Sequence, residues 1–467
     1  MTSHDRALRV LRERPDLAAL AAHPFDFDIA RAEHVEDVEL ASGAPLTPIA
    51  GTAAGGTYFL CGGGEVVFAG SEGEYALLGD SLDEALEMLV GLPPGRWCEA
   101  FDPALDSPSG AAPSASAAAR AALLGGLGLD ARPIAALTDR LRRALLRTEP
   151  DFLLLGSAEG TVYRLLHEPA RPPLREVVLG PGRADLARMR GDEACRAEVM
   201  ADDAGRATAT AAARFDRRAD DLPLLRALVR HEAANGGSWD FLQAAVLVGV
   251  HADPADHALV GSLLDAEPHQ RPAFDDHGFP LSARDWGTWA RRLDEAEFGD
   301  DPERVSDLDW GRLAAFQGRD RLARAVFLRL LDGAGPRDGR LLEALAPELA
   351  ELGDFRHAAR ARRLYASLQD DCADRGAALL DVAVLERRAG APEAAWRAVR
   401  QAVAVLDGLT GPRVPAPPGS AAARRRVALG AAVRAEHAEL AGAADRAGLP
   451  ALAAEIRAAV GPPAETR

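Results

Sequence analysis

Two short stretches hold residue types that could together cleave an ester. Ser81 lies in Gly79-Asp80-Ser81-Leu82, and His357 closes Asp354-Phe355-Arg356-His357. A serine becomes a nucleophile when an imidazole takes its proton and a carboxylate orients that imidazole. Each stretch also has a structural reading. Ser81 precedes Leu82-Asp83-Glu84, the pattern of a helix N-cap whose Glu three positions on completes a capping box. Asp354 falls in a turn between two helical segments. A second group gathers His251, Asp253, Asp256 and His257 within seven residues, which by type could bind a metal ion. Asp253-Pro254 equally spells an N-cap followed by proline at the first helical position, with acids in the first turn favoured by the helix dipole. The glycines at 62–64 and 125–128 do not meet the needs of a dinucleotide fingerprint, a preceding strand and an acidic residue about 20 positions on. The reading is a non-enzyme, with no catalytic residue, metal or cofactor assigned.

Composition removes further chemistries. The chain has no lysine, and its 54 basic residues are all arginine. A Walker A loop, a protein kinase and a pyridoxal-phosphate enzyme each require a lysine. Arginine keeps its proton at physiological pH and cannot serve as base or nucleophile.

Charge is placed unevenly. Residues 15–95 carry 14 acids, with Arg31 as the one basic residue of the lysine and arginine type, while the chain as a whole has a net charge of −17. Such a surface repels nucleic acid and steers a basic protein toward it. Within this stretch Glu72, Glu74 and Tyr75 are the candidate partner-binding residues. Trp286 and Trp289 join them, because they lie three apart on one helix face and tryptophan is enriched in binding hot spots. The same spacing suits a core pair. The triplet Arg424–Arg426 reads as a solvated face, too short for nucleic acid.

These residues need elements to hold them. Residues 3–22 read as helix interrupted at Pro15. Thr57–Cys61, the turn Gly62–Gly64 and Val66–Ala69 read as a hairpin. Tyr75–Gly79 is a further strand running into a helix over Leu82–Gly91. Residues 102–119 are Pro/Ser/Ala-rich and read as a linker, followed by helices at 117–125 and 133–147. Residues 151–166 read as strand–turn–strand, either returning to the N-terminal sheet or forming a small one. A second Pro-rich boundary lies at 169–182, and the chain is helical from about 184. Helices are predicted at 222–234, 239–250 and 255–266, the first striped by Leu224, Leu225, Leu228 and Val229, and Asp301-Pro302 marks another helix start. At 467 residues with 48% hydrophobic and 5% aromatic content, two or three domains with Leu/Ala/Val cores are expected. Cys61, Cys98, Cys195 and Cys372 are too scattered for a disulfide framework. The N-terminus has no apolar signal core and no run approaches about 18 apolar residues, so a cytoplasmic location is expected.

The last third repeats. Gly318, Gly353, Gly390 and Gly448 are each followed five residues on by Ala323, Ala358, Ala395 and Ala453. The intervals are 35, 37 and 58 residues, the last lengthened by GPRVPAPPGS at 411–420. Such periods predict stacked helix pairs, with glycine at a turn where no Cβ is tolerated and alanine where the helices meet. Around 351–358 the Gly353, Phe355 and Ala358 pattern resembles the tetratricopeptide repeat, although Pro392 and Pro450 stand at the aromatic position in other copies. Over 304–460 this resemblance implies an interaction scaffold.

The front of the chain resembles the SUKH superfamily over residues 40–92, at Ile49, Ala50, Gly55, Gly56, Tyr58, Leu60, Val67, Ser81, Leu82, Ala85 and Leu86. The resemblance implies an α+β fold and an immunity role, in which the domain binds and blocks a toxin domain such as a nuclease. The long helical body departs from a minimal immunity protein. Gly79–Leu82 also resembles the GDSL hydrolases, which would make Ser81 a nucleophile. That family's Gly-x-Asn-Asp block is missing, because the single asparagine, Asn235, is followed by Gly236. The expected architecture is therefore an α+β N-terminal domain over 1–168, with a small antiparallel sheet and helices, followed by an all-α helical-repeat (α-solenoid) region. That region comprises HEAT-like helix pairs over 184–300 and tetratricopeptide-like repeats over 304–460. The expected function is binding of a basic partner protein, with no nucleic acid and no membrane. The alternatives are a regulatory helical scaffold and, third, a hydrolase.

Overall fold

A computed structural model describes residues 3–92, 114–158, 160–166, 171–408 and 421–459. Cys98, most of the expected linker at 102–119 and the Pro-rich insert at 411–420 lie outside the described residues. The chain divides into two compact units. One joins Met1–Arg171 to Arg324–Arg467, and the other is Pro172–Ala323. The front of the chain thus shares a unit with the last third, whereas the sequence divided it at 168, 184, 300 and 304.

In the first unit, α1 (Ser3–Glu13) and α2 (Pro15–Ala22) are separated where Pro15 starts a new helix. Strand β1 (Val38–Leu40) is followed by β2 (Leu46–Gly51), β3 (Thr57–Cys61), β4 (Val66–Ala69) and β5 (Glu74–Gly79). The last four form an antiparallel meander. Side chains alternate between its faces. Tyr58, Val66, Phe68, Ala76 and Leu78 enter the core beneath the helices, while Phe59, Val67, Ala69, Tyr75 and Leu77 enter a second core. Both faces are covered, which explains why β4 is an unbroken apolar run, Val-Val-Phe-Ala.

Helix α3 (Leu82–Gly91) begins at Ser81, whose hydroxyl accepts from the Glu84 N–H at 3.2 Å. The Glu84 carboxylate accepts in return from the Asp80 N–H at 3.2 Å. Helices α4 (Ser114–Leu127) and α5 (Ile134–Asp151) complete the upper core. In α5 the residue before Pro150, Glu149, leaves the helical region (φ −118°, ψ 134°), as proline demands of its predecessor.

The strand–turn–strand at 151–166 serves two sheets. Strand β6 (Leu154–Gly156) pairs with β1, and β7 (Arg164–Leu165) pairs with β5 in parallel, so the main sheet is mixed rather than purely antiparallel.

In the second unit, α6 (Leu174–Gly191) runs through the expected Pro-rich boundary and includes Pro181. There Gly182 lies so close to the helix carrying Thr208 that a Cβ would stand 2.3 Å from the Thr208 carbonyl oxygen. Helices α7 (Glu193–Ala201), α8 (Asp203–Phe215), α9 (Leu222–Asn235), α10 (Ser238–Gly249) and α11 (Pro254–Ala266) follow. Next come α12 (Arg271–Asp276), α13 (Trp286–Leu293), a π-helical turn at Asp294–Phe298 and α14 (Asp307–Phe316). The stripe Leu224, Leu225, Leu228 and Val229 is buried as its spacing implies. Asp301-Pro302 starts only a 3-10 turn, Pro302–Arg304.

Helix α15 (Asp320–Gly333) carries the chain back into the first unit. The rest of that unit is α16 (Gly339–Glu351), α17 (Phe355–Ser367), α18 (Cys372–Arg388), α19 (Pro392–Gly408), α20 (Ala421–Arg446) and α21 (Pro450–Ala459). The molecule is α+β at its front and all-α helical repeat thereafter. All four repeat glycines adopt positive φ, between 70° and 78°, and all four alanines five residues later are fully buried. At Gly353 the next N–H, from Asp354, reaches the Leu349 carbonyl at 2.9 Å while Gly353 N–H reaches Ala350 at 3.1 Å. This is the Schellman arrangement, and it recurs at Gly318, Gly390 and Gly448. A Cβ at these glycines would meet nothing within 4 Å. The expected steric exclusion is therefore incorrect, and the left-handed backbone is what selects glycine.

Candidate functional site

Folding neutralises much of the acidic front. Asp80 pairs with Arg147, Glu74 with Arg164 (2.7 Å) and Glu39 with Arg356. Glu87 lies nearly buried under Arg132 (2.7 Å) and Arg140 (2.8 Å). Burial alone would raise the Glu87 pKa, but hydrogen bonds from both guanidinium groups hold it below the usual carboxylate range. All of these arginines lie outside 15–95, so a count within that window cannot reveal the pairing.

The negative charge left without arginine concentrates in Glu33-His34-Val35-Glu36-Asp37, the segment before β1. Among the described residues, Glu33, Glu36 and Asp37 are exposed and form no ion pair. Val35 stands between them, 67% exposed. The backbone beneath is fixed at both ends. The Glu33 carbonyl accepts from the Thr57 hydroxyl at 2.9 Å, and the Asp37 carbonyl accepts from the Ser157 N–H at 2.8 Å. His34 turns inward, with Nδ1 3.1 Å from Thr57 Oγ1 and Nε2 3.2 Å from the Tyr163 hydroxyl. Tyr163 in turn donates to the Glu36 carboxylate. Burial lowers the His34 pKa and Glu36 partly opposes this. Burial, then the bond to Glu36, raises that of Tyr163. The result is an acidic loop anchored at both ends, with one exposed apolar side chain among its carboxylates.

Residues 151–166, which support this loop, are themselves held by the C-terminal helices of the same unit. The Val162 N–H donates to Asp332 at 2.7 Å. Arg356 bonds the Ser157 carbonyl, and Arg360 reaches the Gly160 carbonyl at 3.2 Å. His357 is buried, with Nδ1 on Asp354 (2.7 Å) and Nε2 on the Gly160 carbonyl (3.0 Å). Burial would raise the Asp354 pKa, but the bonds to His357 keep it low. Both ring nitrogens of His357 are engaged in this packing, and the Ser81 hydroxyl caps its helix, so the two hydrolase-like stretches have structural roles.

The sequence-named binding residues fare unequally. Glu72 is exposed. Glu74 is half-buried in its pair with Arg164. Tyr75 is a correction: it is fully buried, its hydroxyl donating to Glu149 at 2.9 Å, and burial raises its pKa well above the ordinary value. Trp286 and Trp289 are corrected likewise. They stack on each other at 5.1 Å inside the second unit's core, 0% and 4% exposed, so neither is available to a partner. Asp253 caps α11 through the Ala255 N–H (3.0 Å), while Arg226 binds both Asp253 and Asp256 at 2.6 Å. His257 stacks on Phe279 and bonds the Pro280 carbonyl at 2.8 Å. Sequence reasoning missed Glu33, Val35 and Asp37. The available signal was a lone branched apolar residue inside an acidic run.

Comparison with known proteins gives no family model, curated protein or solved structure that matches this chain.

Proposed function

We propose that the chain binds a basic partner protein through the loop at 33–37, in the manner of an immunity protein that covers a cationic toxin domain such as a nuclease. The observation that carries this reading is the loop anchored at both ends, with the unpaired Glu33 and Asp37 around an exposed Val35. Preorganised carboxylates raise the association rate toward a positive surface, and a central apolar side chain supplies the part of the contact that excludes water. A nuclease domain is a fitting target, because its substrate-binding surface must itself attract phosphate.

The test uses the full chain, because the loop rests on a hairpin that residues beyond 324 hold in place. Immobilised wild type and a Glu33→Gln/Asp37→Asn variant are exposed to native lysate and then to purified basic toxin domains. We expect the wild type to retain a cationic polypeptide at low salt and the variant to associate roughly tenfold more slowly, a difference that fades as salt screens the charges. Equal retention by both proteins at every salt concentration would remove the loop from the interface.

A further inference from the structure

The second unit contains an open cleft of about 630 Å³ between α8, α10, the π-helical turn at Asp294–Phe298 and α14. Its floor is an internal ion pair: Arg206 donates to Glu232 at 2.6 Å and to Asp203 at 2.8 Å. That pair is self-contained. The walls are not. Arg214 lies largely buried against the rings of Phe215 (4.7 Å) and Phe298 (5.9 Å). Its Nε donates to the Gly299 carbonyl at 2.8 Å. Among the described residues no carboxylate lies within ion-pair distance of this guanidinium, and Arg214 lines the cleft. Burial lowers its pKa and Arg217 adds to this, while Asp294 and Asp309 only partly offset it. A partly desolvated cation with no carboxylate in direct contact is costly, and a planar guanidinium is suited to bind a carboxylate by two parallel hydrogen bonds.

Across Phe298 the chemistry reverses. Trp239 packs against Phe298 at 5.1 Å yet remains 49% exposed. Exposed Asp240, Glu295 and Glu297 line the cleft with it. An aromatic face that shares a cleft with carboxylates attracts a cation. Arg214 and Trp239 share Phe298 as a neighbour, at 5.9 Å and 5.1 Å, so they stand no more than about 11 Å apart, within the reach of three extended residues.

We infer that this cleft binds the C-terminal end of a peptide, its terminal carboxylate on Arg214 and a basic side chain two residues earlier on Trp239 and the neighbouring acids. The inference is independent of the acidic loop, which belongs to the other unit. A free anion would lack the second contact, and a cation alone would leave Arg214 unpaired.

The full chain is titrated calorimetrically with acetyl-Arg-Ala-Ala as the free acid, with its C-terminal amide and with inorganic phosphate, and tryptophan fluorescence is followed in parallel. We expect the acid to bind saturably and perturb Trp239. The amide should bind about tenfold more weakly, as loss of one charge-assisted contact implies. Arg214→Gln should abolish the difference between acid and amide while leaving weak binding of both, and Trp239→Phe should remove the fluorescence change. Equal affinity for acid and amide in the wild type overturns the inference even if Arg214→Gln fails to fold. No saturable binding of the acid up to millimolar concentration, or binding of phosphate in preference to the peptide acid, overturns it as well.

Discussion

His34 sets the pH behaviour of the acidic loop. The hydroxyls of Thr57 and Tyr163 already donate elsewhere, so each offers the ring a lone pair, while a neutral imidazole has one N–H for the two. Protonation would supply the second donor, but burial opposes the charge and lowers the pKa. The unfolded chain therefore takes this proton more readily than the folded one. Stability from this site is complete above the ordinary imidazole value of about 6.5 and is lost as pH falls toward the lowered folded value. The melting temperature should fall with acidification across that window, and the fall attributable to this site should vanish in His34→Gln. A wild-type slope matched by the variant would show that the ring is not the responsible group. Cysteine chemistry gives a second test at this scale. Burial, then Glu65, pushes the Cys61 thiol up to about 12, whereas Cys195 and Cys372 are partly exposed. A thiol-specific reagent at neutral pH should label the latter two quickly and Cys61 only on unfolding.

Elements explain what could be read in advance. The hairpin at 57–69, the helix from Leu82 and the glycine–alanine turns of the repeats were legible because each depends on neighbours close in sequence. A capping serine, a residue at positive φ or an apolar stripe leaves a local pattern. The repeat glycines also show how a correct position can carry the wrong reason, because open space surrounds them and only the backbone angle is demanding. Gly353→Ala should thus cost about 1 kcal/mol in urea unfolding and Gly353→Asn less, since asparagine tolerates the left-handed region. If the cost instead rose with side-chain size, steric exclusion would be the cause after all. Ser81→Ala should likewise cost about 1 kcal/mol through the lost N-cap. What the sequence did not show was long-range. Nothing local assigns β6 to β1 and β7 to β5 or pairs Glu87 with Arg132 and Arg140, and the spacing of Trp286 and Trp289 fitted a core pair and a binding face alike. Pro181 misled for a related reason: a proline normally ends a helix, but here α6 continues through it and packs against α8.

At the scale of the whole molecule, Glu149 joins distant parts of the first unit. Its carboxylate receives the Tyr75 hydroxyl from β5 and the Arg329 guanidinium from α15, and Arg171 lies 3.6 Å away. Arg329 also bonds the Tyr163 carbonyl at 2.9 Å. A fragment of residues 1–171 alone should accordingly show fast amide exchange at 154–165. Adding a fragment of 324–467 should slow it. Protection in the isolated front fragment equal to that in the intact chain would show that the helices are dispensable for the hairpin.

The shared Glu149 carboxylate has a consequence for synthesis on the ribosome. The anchors of the hairpin emerge nearly two hundred residues after it, a delay of roughly 10–40 s at ordinary elongation rates. Throughout that interval the nascent front has its strands but not the arginines that fasten them. Unpaired strand edges in incomplete chains are prone to self-association. Truncated or stalled products ending before Arg329 should therefore be the species that chaperones retain.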